Sequence, residues 1–472
     1  MLTLTYDLAQ RGNLSRYEYL YRCIREDILS GRLTAGEKLP SKRALARHLQ
    51  VAVVTVETAY AQLAAEGYLR PEAKRGYFVA PVEVKGGQAL KRSESSEKPR
   101  TEPEWILDLK TGGTGTEGFP FSVWARLMRR VITERGTQLL LPMPHNGVLE
   151  LRQAISGYLY RVRGISARAE QIVVGAGTEY LYNLLVQLLG RDLAYGVEDP
   201  GYYKAARIYQ LNGARCIPVP VDRQGVVPDR LDARLDVLHI SPNHQFPTGS
   251  VMPITRRQKL LRWAREQSGR YIIEDDYDSE FRFTGLPIPT MREGDSMGRV
   301  IYMNTFSRTL APSLRISYMV LPEELLERYR QRLGFYSCTV PAMEQYTLAL
   351  FLDEGYFESH INRMRFFYRG QRDQIIAAIR ESGLAAQCRT EGENAGLHFL
   401  LRLKTERTDR ELARWAEERG LRLSFLSDYA QNRVAEWAHT LVIHYPGLEP
   451  GRVRQGLELL AAGLESGKGE VW

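Results

Sequence analysis

Residues 83–103 constrain the fold more than any other stretch of this chain. Glu83–Pro103 is built mainly from Lys, Glu, Ser, Gly and Pro and carries almost no large apolar side chain. Such a segment cannot offset its own ordering entropy by burial. It divides the chain into a first domain over 1–81, a linker over 82–104 and a large domain over 105–472, with a smaller subdomain from about 350 to 472. As a flexible coil of about 20 residues the linker spans on the order of 25 Å.

The flanking parts are ordinary globular sequence. Hydrophobic residues at 44% and charged residues at 25% exclude fibrous and wholly disordered chains. No apolar run approaches membrane-spanning length, and Met1–Ser15 lacks a basic leader and an apolar stretch of signal-peptide type, so the expected location is the cytoplasm and no membrane partner is expected. Cys23, Cys216, Cys338 and Cys388 form no CxxC pair, which points to reduced, mostly buried thiols and to no metal site.

The N-terminal part is basic. Residues 1–80 hold 12 Lys or Arg against 8 Asp or Glu, half of the net charge of +8, which favours a polyanionic partner. Tyr17, Leu20, Ile24 and Ile28 recur at helical spacing, with Gly31 following as a C-terminal signal. Ser41 can cap a second helix containing Leu45 and Leu49, and a tight turn at Gln50–Ala52 leads into a third through Thr55, Ala59 and Leu63. Two short strands around Lys74-Arg75-Gly76 complete a winged helix-turn-helix.

Leu39-Pro-Ser-Lys-Arg-Ala-Leu-Ala46, followed by Thr55-Val-Glu-Thr-Ala-Tyr60 and Glu66-Gly-Tyr-Leu69, resembles the winged helix of GntR-type transcription regulators. That resemblance implies binding to double-stranded promoter or operator DNA, with Arg43 on the DNA and Gly76 in the turn of the wing. Lys42, Arg43, Arg47, Lys74 and Arg75 form the expected phosphate-contact set. Relatives often carry Ser-Arg at the start of the third helix, where this chain has Ala52-Val53. Base readout must therefore differ, and Thr55, Thr58 and Tyr60 are the polar candidates for base edges.

Beyond Trp105 the strand-like runs Ile172–Val174, Val237–Ile240, Tyr271–Ile273 and Val300–Tyr302 alternate with helical segments. This pattern predicts an α/β domain around a mainly parallel sheet with helices on both faces. Ligands of such sheets bind beyond the carboxyl ends of the strands. There the chain offers the backbone amides of Ala176, Gly177 and Thr178 for a phosphate, Tyr202 as a stacking ring, and acids in Glu274-Asp-Asp-Tyr-Asp278 for a protonated pyridine nitrogen.

Together with Ser241-Pro-Asn-His-Gln-Phe-Pro-Thr-Gly249 and Asn304–Arg315, these motifs resemble the fold-type I aminotransferase domain, with a smaller C-terminal α+β subdomain. With the winged helix, the whole chain looks like the MocR/GabR group of regulators. The resemblance implies a homodimer assembled head to tail and a pyridoxal phosphate pocket. In it Asp275 pairs with the ring nitrogen, Tyr277 with the ring hydroxyl, and Tyr202 stacks. Ala176, Gly177, Thr178, Thr305, Ser307 and Arg315 surround the phosphate, Lys204 lies near the ligand carboxylate, and His244 belongs to the same loop group.

The family's Schiff-base lysine should follow Ser307, where the chain carries Arg308. A guanidinium, with a pKa above about 12, keeps its charge and cannot act as the amine nucleophile, although it can hydrogen-bond a ligand. The expected function is a regulator that senses a small anionic effector, with any pyridoxal phosphate held noncovalently at most and no transamination. Two alternatives stay open: an aminotransferase with a DNA-binding head, using Lys204 as its amine, and a ligand-free dimerisation scaffold.

Overall fold

The computed structural model describes residues 4–82, 104–110, 118–283, 288–432 and 434–466. They fall into two compact units that divide between Pro103 and Glu104. The stretch read as a linker lies almost entirely outside the described residues.

In the first unit, α1 (Arg16–Leu29) and α2 (Lys42–His48) each begin at a serine whose hydroxyl accepts a backbone N–H of the first turn, Ser15 from Glu18 and Ser41 from Ala44. These caps satisfy otherwise orphaned donors. α3 (Val53–Ala65) follows after a short turn. Leu20, Ile24 and Ile28 from α1, Leu45 from α2, and Val56, Ala59, Tyr60 and Leu63 from α3 share one core. The antiparallel pair β1 (Leu69–Glu72) and β2 (Gly76–Val79) closes that core with Leu69 and Val79, which face each other in register. The helix spacing and the glycine turn thus produce the winged helix that they predict.

The second unit opens with β3 (Leu107–Asp108), α4 (Phe121–Arg135) and α5 (Leu149–Arg163). Its main sheet contains β4 (Ile172–Ala176), β5 (Ala194–Asp199), β6 (Arg215–Asp222), β7 (Gly225–Val226), β8 (Val237–Ile240), β9 (Tyr271–Asp275), β10 (Val300–Thr305) and β11 (Ile316–Val320). The spatial order is β4-β11-β10-β9-β8-β5-β6-β7. β6, β5, β8, β9 and β10 run parallel, whereas β11 runs antiparallel to both of its neighbours. Connecting helices are α6 (Thr178–Leu189), α7 (Tyr203–Leu211), α8 (Ile254–Glu266), α9 (Phe306–Thr309) and α10 (Glu323–Leu333).

Apolar runs are continuous in these strands because both faces are covered. In β4, Ile172 and Val174 join one core and Val173 the other, as the two-residue period of a strand requires.

The chain continues through α11 (Ala342–Asp353), α12 (Tyr356–Glu381), β12 (Cys388–Glu391), β13 (His398–Leu403), α13 (Asp409–Glu417), β14 (Leu421–Arg422), β15 (Thr440–His444) and α14 (Pro450–Ser466). β12, β13 and β15 form an antiparallel sheet, and β14 pairs with β3. Phe399, Leu401, Leu441 and Ile443 belong to the same core as Ile172, Val174 and Tyr318, so this C-terminal region packs continuously with the main sheet. All four cysteines are free, but each is half-buried rather than mostly buried as expected. None is fully enclosed by the apolar clusters. No helix among the described residues is long and apolar enough to cross a membrane.

Candidate functional site

A cavity of about 410 Å³ opens beyond the carboxyl ends of β5, β8, β9 and β10, where parallel sheets place ligand sites. Glu274 and Asp275 end β9 and Asp276 follows it, and the alternation of the backbone gives the three acids different surroundings. Glu274 accepts the backbone N–H groups of Met291 and Arg292. Asp276 is buried against Arg163 at 2.6 Å and also accepts from Tyr302 and Asn243. Asp275 alone of the three lines the cavity.

One oxygen of Asp275 is fully occupied. Its Oδ2 accepts the Tyr182 hydroxyl at 2.5 Å and lies 3.4 Å from His239 Nε2, while the Tyr209 hydroxyl is hydrogen-bonded to His239 Nδ1 at 2.8 Å. Its Oδ1 is buried without a partner. Neither Tyr182 nor His239 stands out in the sequence, since one is an apolar-face residue of α6 and the other lies inside a buried strand. Tyr277 also lines the cavity, its hydroxyl 3.2 Å from His244 Nδ1. Burial, reinforced by Asp278, pushes the phenol well above its ordinary pKa. Tyr202 stands at the rim with its ring edge-on to Phe246.

The phosphate group expected from the sequence is placed in two parts. Thr178, Thr305, Ser307 and Arg315 line the cavity, whereas Ala176 and Gly177 do not. The Ala176 amide donates to the Thr339 hydroxyl at 3.0 Å and the Gly177 amide to the Gly175 carbonyl at 2.8 Å. Both donors are spent within the protein, so of the three amides expected to cradle a phosphate these two are not free. Gly177 acts instead by having no side chain, because a Cβ there would lie 2.4 Å from the Arg315 guanidinium. Thr305 is held internally, accepting from the Ser307 N–H and the Ser317 hydroxyl. Ser307 Oγ is buried without a partner.

Cations surround this end of the cavity. Lys204 and Arg315 both reach Glu179, at 2.9 and 3.1 Å. The hydrogen bond to Glu179 raises the pKa of Lys204, and the same contact lowers that of Glu179. Arg308 is half-buried, lines the cavity, and forms no hydrogen bond or ion pair with other described residues.

Sequence reasoning missed two further groups. Glu198, at the end of β5, accepts from Ser241 N–H and Gln245 through Oε2, while Oε1 is buried and unpartnered. Burial pushes its carboxyl up to about 8, so at neutral pH it is largely the neutral acid. Behind Tyr277, His244 bonds Asp278 at 3.0 Å and packs on His398, which faces His444 across β13 and β15. Burial lowers His398, and burial together with Arg308 lowers His444 to about 3. Possible ligand atoms of His244, Asp278 and His398 lie within 4.8 Å of one another, but hydrogen bonds to Asp278 and to the Pro247 carbonyl already engage the two imidazoles.

In the winged helix, Arg43, Arg47 and Lys74 are exposed and unpaired among the described residues, and Gly76 takes a positive φ in the wing turn. Lys42 is bound to Glu57, and Arg75 to Glu72 at 2.6 Å. Thr55 is half-buried and Thr58 exposed. Tyr60, expected at base edges, is fully buried and donates to the Pro40 carbonyl. Its position in the helix repeat places it among Val56, Ala59 and Leu63, so it cannot read DNA.

Comparison with known proteins places both units. Residues 16–79 match the model of bacterial regulatory proteins of the gntR family, and residues 107–454 that of aminotransferase class I and II. The probable rhizopine catabolism regulatory protein MocR of Rhizobium meliloti is 33% identical over 96% of this chain and 94% of its own. The chain belongs to the MocR-type helix-turn-helix transcriptional regulators. This regulator is also 38% identical, over 98% of its length and 99% of the relative's, to the uncharacterized HTH-type transcriptional regulator YdeL of Bacillus subtilis. The pyridoxine biosynthesis regulator PdxR of Corynebacterium glutamicum is 33% identical over 86% of the regulator and 87% of its own length. Kynurenine aminotransferase of Pyrococcus horikoshii shares the fold of the second unit, with a TM-score of 0.68 and 23% identity over 78% of the regulator and 92% of that chain. The regulator is therefore a DNA-binding transcription factor with an aminotransferase-like domain.

Proposed function

We propose that the aminotransferase-like domain senses a small anionic ligand, namely pyridoxal phosphate, a vitamin B6 relative or an amino-acid adduct of one, and holds it without covalent turnover. Arg308 is the observation that carries this reading. It lines the cavity unpaired, at the position where the family motif calls for an amine. A guanidinium stays charged and hydrogen-bonds oxygen, but it does not add to an aldehyde.

The residues present fit a phosphorylated pyridine. Asp275 Oδ1 and Ser307 Oγ are buried acceptor and donor without protein partners, a costly state that a bound ligand relieves. Asp275 would hold the protonated ring nitrogen, Tyr277 the ring hydroxyl and Tyr202 the ring face. Thr178, Ser307 and Arg315 would hold the phosphate, and Lys204 a ligand carboxylate. When linked to an amine, pyridoxal phosphate supplies an electron sink for amino-acid chemistry. Here Lys204 is the lysine that lines the cavity, and its bond to Glu179 stabilises the ammonium form, which is not nucleophilic.

Ligand binding shifts DNA binding only if the two states of the regulator differ in ligand affinity. A head-to-tail homodimer would present two winged helices to half-sites separated by one DNA turn, roughly 34–36 Å, or multiples of it. An electrophoretic titration of promoter DNA with and without pyridoxal phosphate, pyridoxal and pyridoxine tests the sensor reading. A changed affinity or footprint supports it, and an unchanged one in every case removes it. Borohydride reduction followed by peptide mapping tests the noncovalent reading, which a labelled lysine overturns.

A further inference from the structure

We propose that the first turn of α3 reads the 5-methyl groups of thymine in the major groove, with Val54 as the principal contact and Val53 beside it. In a helix-turn-helix the second helix of the motif, here α3, carries the base contacts at its N-terminal end. At that end this regulator presents methyl groups. Val53 and Val54 are 44% and 64% exposed, whereas Val56, Ala59, Tyr60 and Leu63 of the same helix are fully buried. Ala52 precedes them as an N-cap with no side-chain hydrogen bond.

Nothing in the winged-helix core requires valine at these two positions. β-Branched residues are mediocre helix formers, and the core packs through the opposite face of α3.

Among the polar side chains of α3, Thr55 is half-buried and the three exposed ones that could compete for base edges are engaged. Glu57 is bound to Lys42, and the Gln62 amide donates to Glu66. The Thr58 hydroxyl donates to the Val54 carbonyl at 2.9 Å, spending its only proton on the backbone. α3 carries no Lys or Arg. Val54, Thr58 and Ala61 follow at helical spacing along one exposed stripe. Exposed Arg43, Arg47 and Lys74 lie on α2 and in the wing of the same unit, and such cations grip phosphates without reading sequence. An apolar patch accompanied by unpaired cations fits a polyanion that itself displays methyl groups. Of the four bases only thymine offers a methyl in the major groove.

The proposal rests on DNA binding by this domain, and the test separates the two. Full-length regulator is used to select sites from a random duplex library, and the selected site is then remade with single dT→dU replacements. Affinities are read by fluorescence anisotropy. At one or more positions per half-site, loss of the methyl should weaken binding about fourfold, the factor for burying one methyl-sized group. Val54→Ser, checked for folding by its thermal melt, should bind dT and dU sites equally. Val53→Ser provides a second reading should Val54→Ser not fold. Arg43→Gln should weaken both sites alike and lower the salt dependence by about one phosphate contact. Uracil tolerated everywhere within twofold, or a thymine preference that survives in both valine variants, overturns the proposal. Failure to select any site would instead remove DNA binding itself.

Discussion

Gly177 and Arg315 share one small volume: a Cβ on residue 177 would stand 2.4 Å from an Arg315 guanidinium nitrogen, and Gly177 holds a φ of 91°. The glycine therefore both permits the backbone conformation at the start of α6 and clears space for the arginine. Gly177→Ala should displace Arg315 from the cavity and strain the turn. Isothermal titration should show phosphorylated B6 compounds binding at least tenfold more weakly. Denaturant unfolding should show a loss of about 1 kcal/mol or more from the positive φ alone.

Arg308→Lys should give the cavity an amine that can lose its proton. Addition of pyridoxal phosphate should then produce the visible absorption of a lysine Schiff base, absent from the wild-type chain under the same conditions. A spectrum identical to that of free pyridoxal phosphate would mean that the surrounding contacts do not bring the aldehyde to residue 308.

The stability of the second unit should carry a pH signature from Glu198. Burial raises its carboxyl from 4.5 to about 8, so between these values the folded chain retains a proton that the unfolded chain releases. Stability from this group is therefore fully present below about 4.5 and falls as pH rises towards 8, with a ceiling of ~1.4 kcal/mol per pH unit. Urea unfolding at pH 5 and pH 8 should show the wild type losing ground to Glu198→Gln as pH increases. A stability difference that does not change with pH would place Glu198 in a more hydrated setting.

Tyr60→Phe removes a buried hydroxyl bonded to the Pro40 carbonyl and touches no exposed surface. It should cost about 1 kcal/mol of stability in the winged helix and leave the order of preference among DNA sites unchanged, as measured by competition anisotropy. A reordered preference would put the ring on the DNA side.

What the sequence revealed depended on how local each feature is. The winged helix was legible because Ser15, Ser41 and the apolar spacing act within one or two turns. Asp275 was legible because a strand end announces itself by a change from apolar to acidic residues. Its supports were not, since Tyr182 and His239 reach it from 93 and 36 residues away. A motif also cannot tell which amides are free, and Ala176 and Gly177 were misjudged because Thr339 and Gly175 take their donors. Tyr60 was misjudged by chemistry alone, because its polar hydroxyl drew attention from the helix phase that buries it. The cluster of His244, His398 and His444 is assembled from a loop and two strands distant in the chain, with no shared pattern to reveal it.

Glu179 tethers both Lys204 and Arg315 beside the cavity. For the anionic ligand proposed above, the resting regulator thus carries an internal rival. Arrival of an effector becomes a change of allegiance by two side chains already in position, and a weakly charged molecule has little leverage in that contest. On that proposal the carboxylate would act as a threshold, favouring multiply charged guests over singly charged acids.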